Sequence, residues 1–181
     1  MNSNRLTLHI ALALACGGWF GEPVGAQSAP RKPPLQSFVC NTGYSQSACQ
    51  AQVSVLRTAL EKYPIVDLGD WTWVVVRSID WKRLLADRKF APDIPAFTYL
   101  PRRETYIDEA LLGPASSRGF ELAESWHMTM PELLDLAIRH EMGHALCNER
   151  DEAAAKRTAQ LLLEAPAAPA LQACRDRKPK T

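Results

Sequence analysis

Two histidines four positions apart enclose a glutamate in the run His140-Glu141-Met142-Gly143-His144. On a helix, side chains at i and i+4 share a face, so both imidazoles can reach one ion. Neutral imidazoles suit Zn²⁺ in tetrahedral geometry. Glu141 lies about 100° around the helix axis from His140. It therefore stands beside an ion without being a ligand. A carboxylate in that position can act as general base on a metal-activated water, which is what peptide-bond hydrolysis requires. Gly143 lacks a side chain, so another backbone or a substrate can come close to the motif.

A catalytic zinc takes a third protein ligand and keeps an open position. A third histidine is not available downstream. The positions three and six residues after His144 hold Cys147 and Arg150, and no methionine follows the motif. His127 precedes it. The remaining candidates are Glu149, Asp151 and Glu152. The chain must turn after Cys147-Asn148 for a following helix to face back on the first. Glu152 sits one turn inside that second helix, beside Ala153, Ala154 and Ala155, whose small side chains permit close helix–helix approach. Glu152 is favoured, with Glu149 as the alternative third ligand and Asp151 behind both. Each of these carboxylates would also be at home at a helix N-terminus through the helix dipole alone.

HExxH followed by Glu152-Ala153-Ala154-Ala155 resembles the gluzincin type of zincin metallopeptidases, in particular compact exported bacterial members. In that family a glutamate on the next helix completes the site. The resemblance covers residues 130–160 and the order of elements before them. The interval from His144 to Glu152 is shorter than in many gluzincins. The resemblance implies a zinc cofactor bound by His140, His144 and Glu152, with Glu141 as base and proton shuttle, and a peptide or protein substrate. It also implies an α+β fold: a single zincin-like domain whose small twisted sheet packs on helices that include the HExxH helix. An edge strand of that sheet would line the cleft, and Thr105–Ile107 is the candidate. An oxyanion stabiliser is needed as well. His127 is the first candidate, then Tyr106 and Arg139, each of which has an ordinary structural role open to it.

The surrounding elements are legible from periodicity and caps. Thr129-Met130-Pro131-Glu132 reads as a capping box with proline in the first turn, opening a helix that runs to about Leu146. A second helix follows from Glu149 or Asp151 to Leu163. Upstream, Ser47-Ala48-Cys49-Gln50 reads as a capping box for a helix over 48–62, with Val53, Leu56, Leu60 and Tyr63 at helical spacing. Trp71–Ile79 reads as a buried strand and Trp81–Arg88 as a short helix. Ala96–Tyr99 and Thr105–Ile107 form an expected hairpin whose tip carries Pro101-Arg102-Arg103. Residues 113–119 read as a Gly/Pro/Ser loop.

Length and composition set the frame. The chain has 181 residues, 46% hydrophobic and 23% charged, with a formal charge of +1. That suits one globular domain. The near-neutral charge gives no reason to expect nucleic acid as a partner. Arg5, the apolar run Leu6–Ala15 and Val24-Gly25-Ala26 read as an export signal cleaved after Ala26. The run is too short for a stable membrane span. Cys16 leaves a lipid-anchored variant open. The expected organisation is a signal peptide at 1–26, a flexible leader at 27–37, the zincin-like domain at 38–165 and a Pro/Ala-rich and basic tail at 166–181.

Loss of the signal leaves Cys40, Cys49, Cys147 and Cys174. An even count in an exported chain, periplasmic or secreted, suggests disulfides, with Cys40–Cys49 and Cys147–Cys174 favoured among three connectivities. Other functions stay open: an inactive or weakly active zinc-binding interaction module of zincin shape, an interaction protein in which the motif is accidental, or a hydrolase of non-peptide amides. Nothing in the pattern sets an oligomeric state.

Overall fold

Aromatic and β-branched residues build the centre of the sheet, and short helices cover its two faces. The computed structural model describes residues 36–63, 68, 70–113, 116–164 and 174. The expected export signal, the leader up to residue 35 and all of the tail except Cys174 lie outside them.

The described residues form an α+β fold. Strand β1 (Ser37–Cys40) precedes helix α1 (Gln46–Leu60). Strand β2 (Thr72–Val76), helix α2 (Ser78–Asp87) and strand β3 (Ala96–Tyr99) follow, then β4 (Glu104–Asp108). Helices α3 (Ser117–Trp126), α4 (Met130–Cys147) and α5 (Glu152–Glu164) complete the described elements. The sheet is mixed, in the order β1-β2-β4-β3. β1 and β4 both run parallel to β2, and β3 pairs antiparallel with β4.

Alternation along the strands sorts side chains between the two faces. Trp73, Val75, Ala96 and Ile107 enter the main core with residues of α1, α3, α4 and α5. Val74, Val76 and Phe97 face the other way, onto Trp81 and Leu85 of α2. The expected hairpin is present: β3 and β4 are joined through a 3₁₀ turn at Leu100–Arg102, and Arg103 takes the left-handed conformation that closes it.

Five expectations differ from the structure. The strand read over Trp71–Ile79 ends at Val76, and Ser78 and the exposed Ile79 open α2, which starts before Trp81. β1 occupies residues assigned to the leader's end and the start of the domain. It exists because its backbone finds a parallel neighbour in β2, which a run of four residues does not announce. α3 begins inside the predicted Gly/Pro/Ser loop, with Ser116 Oγ accepting from the Gly119 N–H at 3.0 Å. The N-cap of α1 is Ser45 and not Ser47, since Ser45 Oγ accepts from the Ala48 N–H at 3.2 Å. Finally, Thr105–Ile107 is not an edge. β4 sits between β2 and β3, so β3 is the edge strand on that side.

Asp108, at the end of β4, joins several of these elements. Its side chain is fully buried. Oδ1 accepts from Ser78 Oγ at 2.6 Å and from the Ala110 N–H at 3.0 Å. Oδ2 accepts from Arg118 Nε at 3.2 Å. One carboxylate thus ties β4 to the starts of α2 and α3. Asp108→Ala should cost about 3 kcal/mol, because it removes the buried carboxylate of the Arg118 pair and leaves Arg118 only the Pro92 carbonyl and the exposed Glu121. A urea midpoint measurement checks this, and a wild-type midpoint would refute the bridging role.

Candidate metal centre

α4 has its own start and stop signals. The Glu132 carboxylate accepts from the Thr129 N–H at 2.9 Å and from the Thr129 hydroxyl at 2.7 Å. Leu133, Ala137, Ile138, Met142 and Ala145 bury one face. At the far end Asn148 adopts a left-handed conformation, φ 48°, a common helix terminator. The Glu149 N–H then donates back to the His144 carbonyl at 3.0 Å.

The turn that follows distributes three carboxylates to three jobs. Glu149 Oε1 accepts from the Asp151 N–H at 2.8 Å. Asp151 Oδ1 accepts from the Ala154 N–H at 2.8 Å and so caps α5. Glu152 faces the two histidines. Its Oε2 lies 3.0 Å from His140 Nε2 and its Oε1 3.5 Å from His144 Nε2. The two Nε2 atoms are 3.2 Å apart. Ligand atoms of His140, His144 and Glu152 all fall within 4.8 Å of one another.

Close approach of α5 makes this convergence possible. A Cβ on Gly143 would overlap the Ala155 carbonyl oxygen and lie 3.0 Å from the carbonyl carbon. Ala154 and Ala155 are buried in the same contact.

The cluster has the dimensions of a tetrahedral site: bonds of about 2.0–2.1 Å put ligand atoms roughly 3.3–3.4 Å apart, and the two Nε2 atoms stand 3.2 Å apart with one Glu152 oxygen 3.0 Å from His140 and the other 3.5 Å from His144. The tautomer also fits. The Glu149 carbonyl, an acceptor only, lies 2.7 Å from His144 Nδ1. Nδ1 therefore carries the proton and Nε2 keeps its lone pair toward the site. Burial, reinforced by the neighbouring His144, holds His140 below the usual imidazole range, which favours the neutral ligand form. The donor set, two imidazoles and a carboxylate, admits a divalent metal.

Glu141 behaves differently from these three. It is buried, at 4% exposure. Loss of solvation pushes its carboxyl up to about 7, against the lowering effects of a hydrogen bond from Thr98 and the proximity of His144. One of its oxygens, Oε2, is buried with no hydrogen-bond partner. An unpartnered buried carboxylate oxygen is costly, and its position next to the two histidines gives it a chemical use.

The site opens on a cleft of ≈ 960 Å³. Edge strand β3 lines it, together with an apolar wall that includes Phe90, Ile94, Trp126 and Met128. Arg139, Arg150 and Lys156 supply positive charge to the lining. Sequence reading did not single out Thr98, Trp126 or Lys156. Lys156 was within reach of a spacing argument, being i+4 from Glu152 on α5. Trp126 reaches the cleft from the last position of α3 and Met128 from the α3–α4 connection, which carries no periodic signal.

The candidates for a second polar role separate clearly. His127 is exposed at the end of α3, with φ 52°, and is not part of the cleft lining. Tyr106 packs on the α2 side of the sheet, stacked on Phe97 with its hydroxyl donating to Glu104 at 2.6 Å. Arg139 does line the cleft, and its Nε donates to Asp135 at 2.9 Å. Disulfides join Cys40 to Cys49 and Cys147 to Cys174. Comparisons with known protein families, curated proteins and solved structures find no match to this chain.

Proposed function

We propose that this protein is a zinc-dependent peptidase. One observation carries the reading: a buried carboxylate oxygen of Glu141 without a partner, beside three converging ligand atoms, at the wall of an apolar cleft. A zinc held by His140, His144 and Glu152 supplies Lewis acidity toward a carbonyl and toward water. Glu141, too short of ordinary partners to be a structural carboxylate, takes the proton of the attacking water and returns it to the departing amine. Water's oxygen ends on the carbonyl carbon, the C–N bond breaks, and the nitrogen leaves protonated. The apolar wall and the open edge of β3 favour an extended peptide over a compact polar substrate.

The resemblance to gluzincins supports zinc over other divalent ions. A structural zinc site would have no use for Glu141, which weighs against an inert binding module. Two disulfides support an oxidising compartment. With the N-terminal pattern read from the sequence, they favour a periplasmic or secreted enzyme. Among the described residues no helix is long and apolar enough to cross a membrane.

Elemental mass spectrometry on the purified chain tests the site. One zinc per chain is expected, lost in His144→Ala and weakened at least tenfold in Glu152→Ala. Glu149→Ala should retain it, because that side chain caps the turn while its backbone carbonyl holds His144. A well-folded protein without zinc after reconstitution would end this reading.

A further inference from the structure

Carboxylates on α4, α5 and the turn between them already have tasks. Glu152 turns to His140 and His144. Glu149 and Asp151 accept backbone N–H groups at the turn and the start of α5. Asp135 accepts from Arg139, one of the three cations that line the cleft. The other two are left over. Arg150 and Lys156 are exposed, and among the described residues neither makes an ion pair.

The sequence would lead one to expect a partner for Lys156. A glutamate followed four residues later by a lysine is the favourable order for an ion pair on a helix, and Glu152 and Lys156 have that spacing on α5. The pair does not form, because the Glu152 carboxylate is turned to the histidines instead. Lys156 therefore keeps an unanswered charge on the same helix face, one turn from the candidate third ligand. It lines the same cleft as His140, Glu141 and His144. Four residues of helix rise about 6 Å, and an extended peptide advances about 3.3 Å per residue. A group bound at Lys156 thus belongs to a residue within about two positions of the one at the metal centre. Arg150 adds a second charge to the lining from the α4–α5 turn. The carboxylates of the lining are Glu141, Glu149 and Glu152, all of them in the metal centre or its turn, and the wall of Phe90, Ile94, Trp126 and Met128 holds no anion.

We propose that the cleft selects peptides carrying a carboxylate within about two residues of the bond that is cut, with Lys156 as the residue that recognises it. This names a substrate class for the hydrolase reading and rests on that reading. A carboxylate comes from an Asp or Glu side chain or from the end of a peptide. Lysine, a compact charge on a flexible stem, accepts either source, where a planar guanidinium would demand one geometry. Arg150 strengthens the field that draws an anion into the cleft.

The test uses the full mature chain loaded with zinc. Peptides differ only in Glu, Gln or Lys at each position around the cut, and each is made with a free and an amidated C-terminus. In wild type, kcat/KM should be about fivefold to tenfold higher for the acidic peptide than for its glutamine counterpart, and the gap should narrow at high salt. Lys156→Glu should reverse the order in favour of the Lys peptide, and Lys156→Gln should level it, with zinc content retained in both. Arg157→Gln, exposed on α5 but outside the lining, should keep the wild-type order. A preference that persists in amidated peptides identifies an acidic side chain, and one confined to free ends identifies a terminal carboxylate. If Lys156→Glu disturbs the metal site, Lys156→Gln decides. Equal rates for charged and uncharged peptides in wild type would overturn the proposal, as would an acidic preference that survives Lys156→Gln. If wild type binds zinc and cleaves no peptide, the hydrolase reading falls by itself. Calorimetric affinities of the same peptides for the zinc-loaded wild type and Lys156→Gln then decide the recognition, with the same order expected.

Discussion

Glu141→Gln is expected to keep one zinc per chain and lose about 10²–10⁴-fold in turnover. Glutamine has the same shape, but it cannot take a proton from water. The ligand atoms belong to His140, His144 and Glu152, so metal content should not fall. Stability supplies an independent arm in the metal-free protein. Folding raises the Glu141 pKa from 4.5 to about 7, chiefly through burial. The folded state therefore holds the proton more tightly than the unfolded one, and stability falls as pH rises from 4.5 through 7. That loss is on the order of 3 kcal/mol for a shift of this size. The glutamine variant carries no such charge and should lack this decline, so at pH 8 it should unfold later than metal-free wild type. Titrated thermal melts read this directly. Turnover near the wild-type rate in Glu141→Gln would sink the proposed mechanism.

Gly143→Ala should be strongly disruptive. The new Cβ meets backbone atoms of Ala155 and not the end of a flexible side chain. α5 must therefore move away, and Glu152 moves with it. Overpacking of this kind costs about 1–3 kcal/mol and sometimes more. Zinc affinity should fall at least tenfold as well, because the displaced helix carries the third ligand. Gly113→Ala is the control. A Cβ there finds its nearest neighbour at 3.5 Å, an ordinary contact, and both properties should hold. Chelator competition and denaturant midpoints check the pair. Unchanged affinity and stability in Gly143→Ala would contradict the tight α4–α5 contact.

The candidate metal centre was legible because its parts are local. HExxH, the capping box at Thr129 and the alanines after Glu152 sit on consecutive elements whose spacing follows from helix geometry. The turn at Asn148 leaves a signal too, since asparagine tolerates the left-handed conformation found there. Sheet order was not legible. β2 and β4 pair in parallel across residues 72–108, and no periodicity records which of two short strands ends outside the other. The same non-local pairing hid Thr98, which lines the cleft from β3 and reads from sequence as an ordinary strand threonine. α3 was missed because Gly119 is a poor helix former. There the glycine serves packing, since a Cβ would stand 3.2 Å from the Ala110 carbonyl oxygen. β1, four residues long with an alternating half-exposed pattern, looked like the end of a leader until its parallel neighbour was known.

The three ligands lie within residues 140–152, on two helices and one turn. The cleft wall beside them is drawn instead from edge strand β3, held through β4 to β2 by pairings that span residues 72–108. Contacts close in sequence form early in folding, and parallel strand pairing forms late. On the proposed reading, ion capture and completion of the cleft would be separate events in the life of the chain. A folding molecule would gather its ligand atoms on α4 and α5 before the sheet beside them has closed, so hydrolytic competence would be the last property of the fold and not the first.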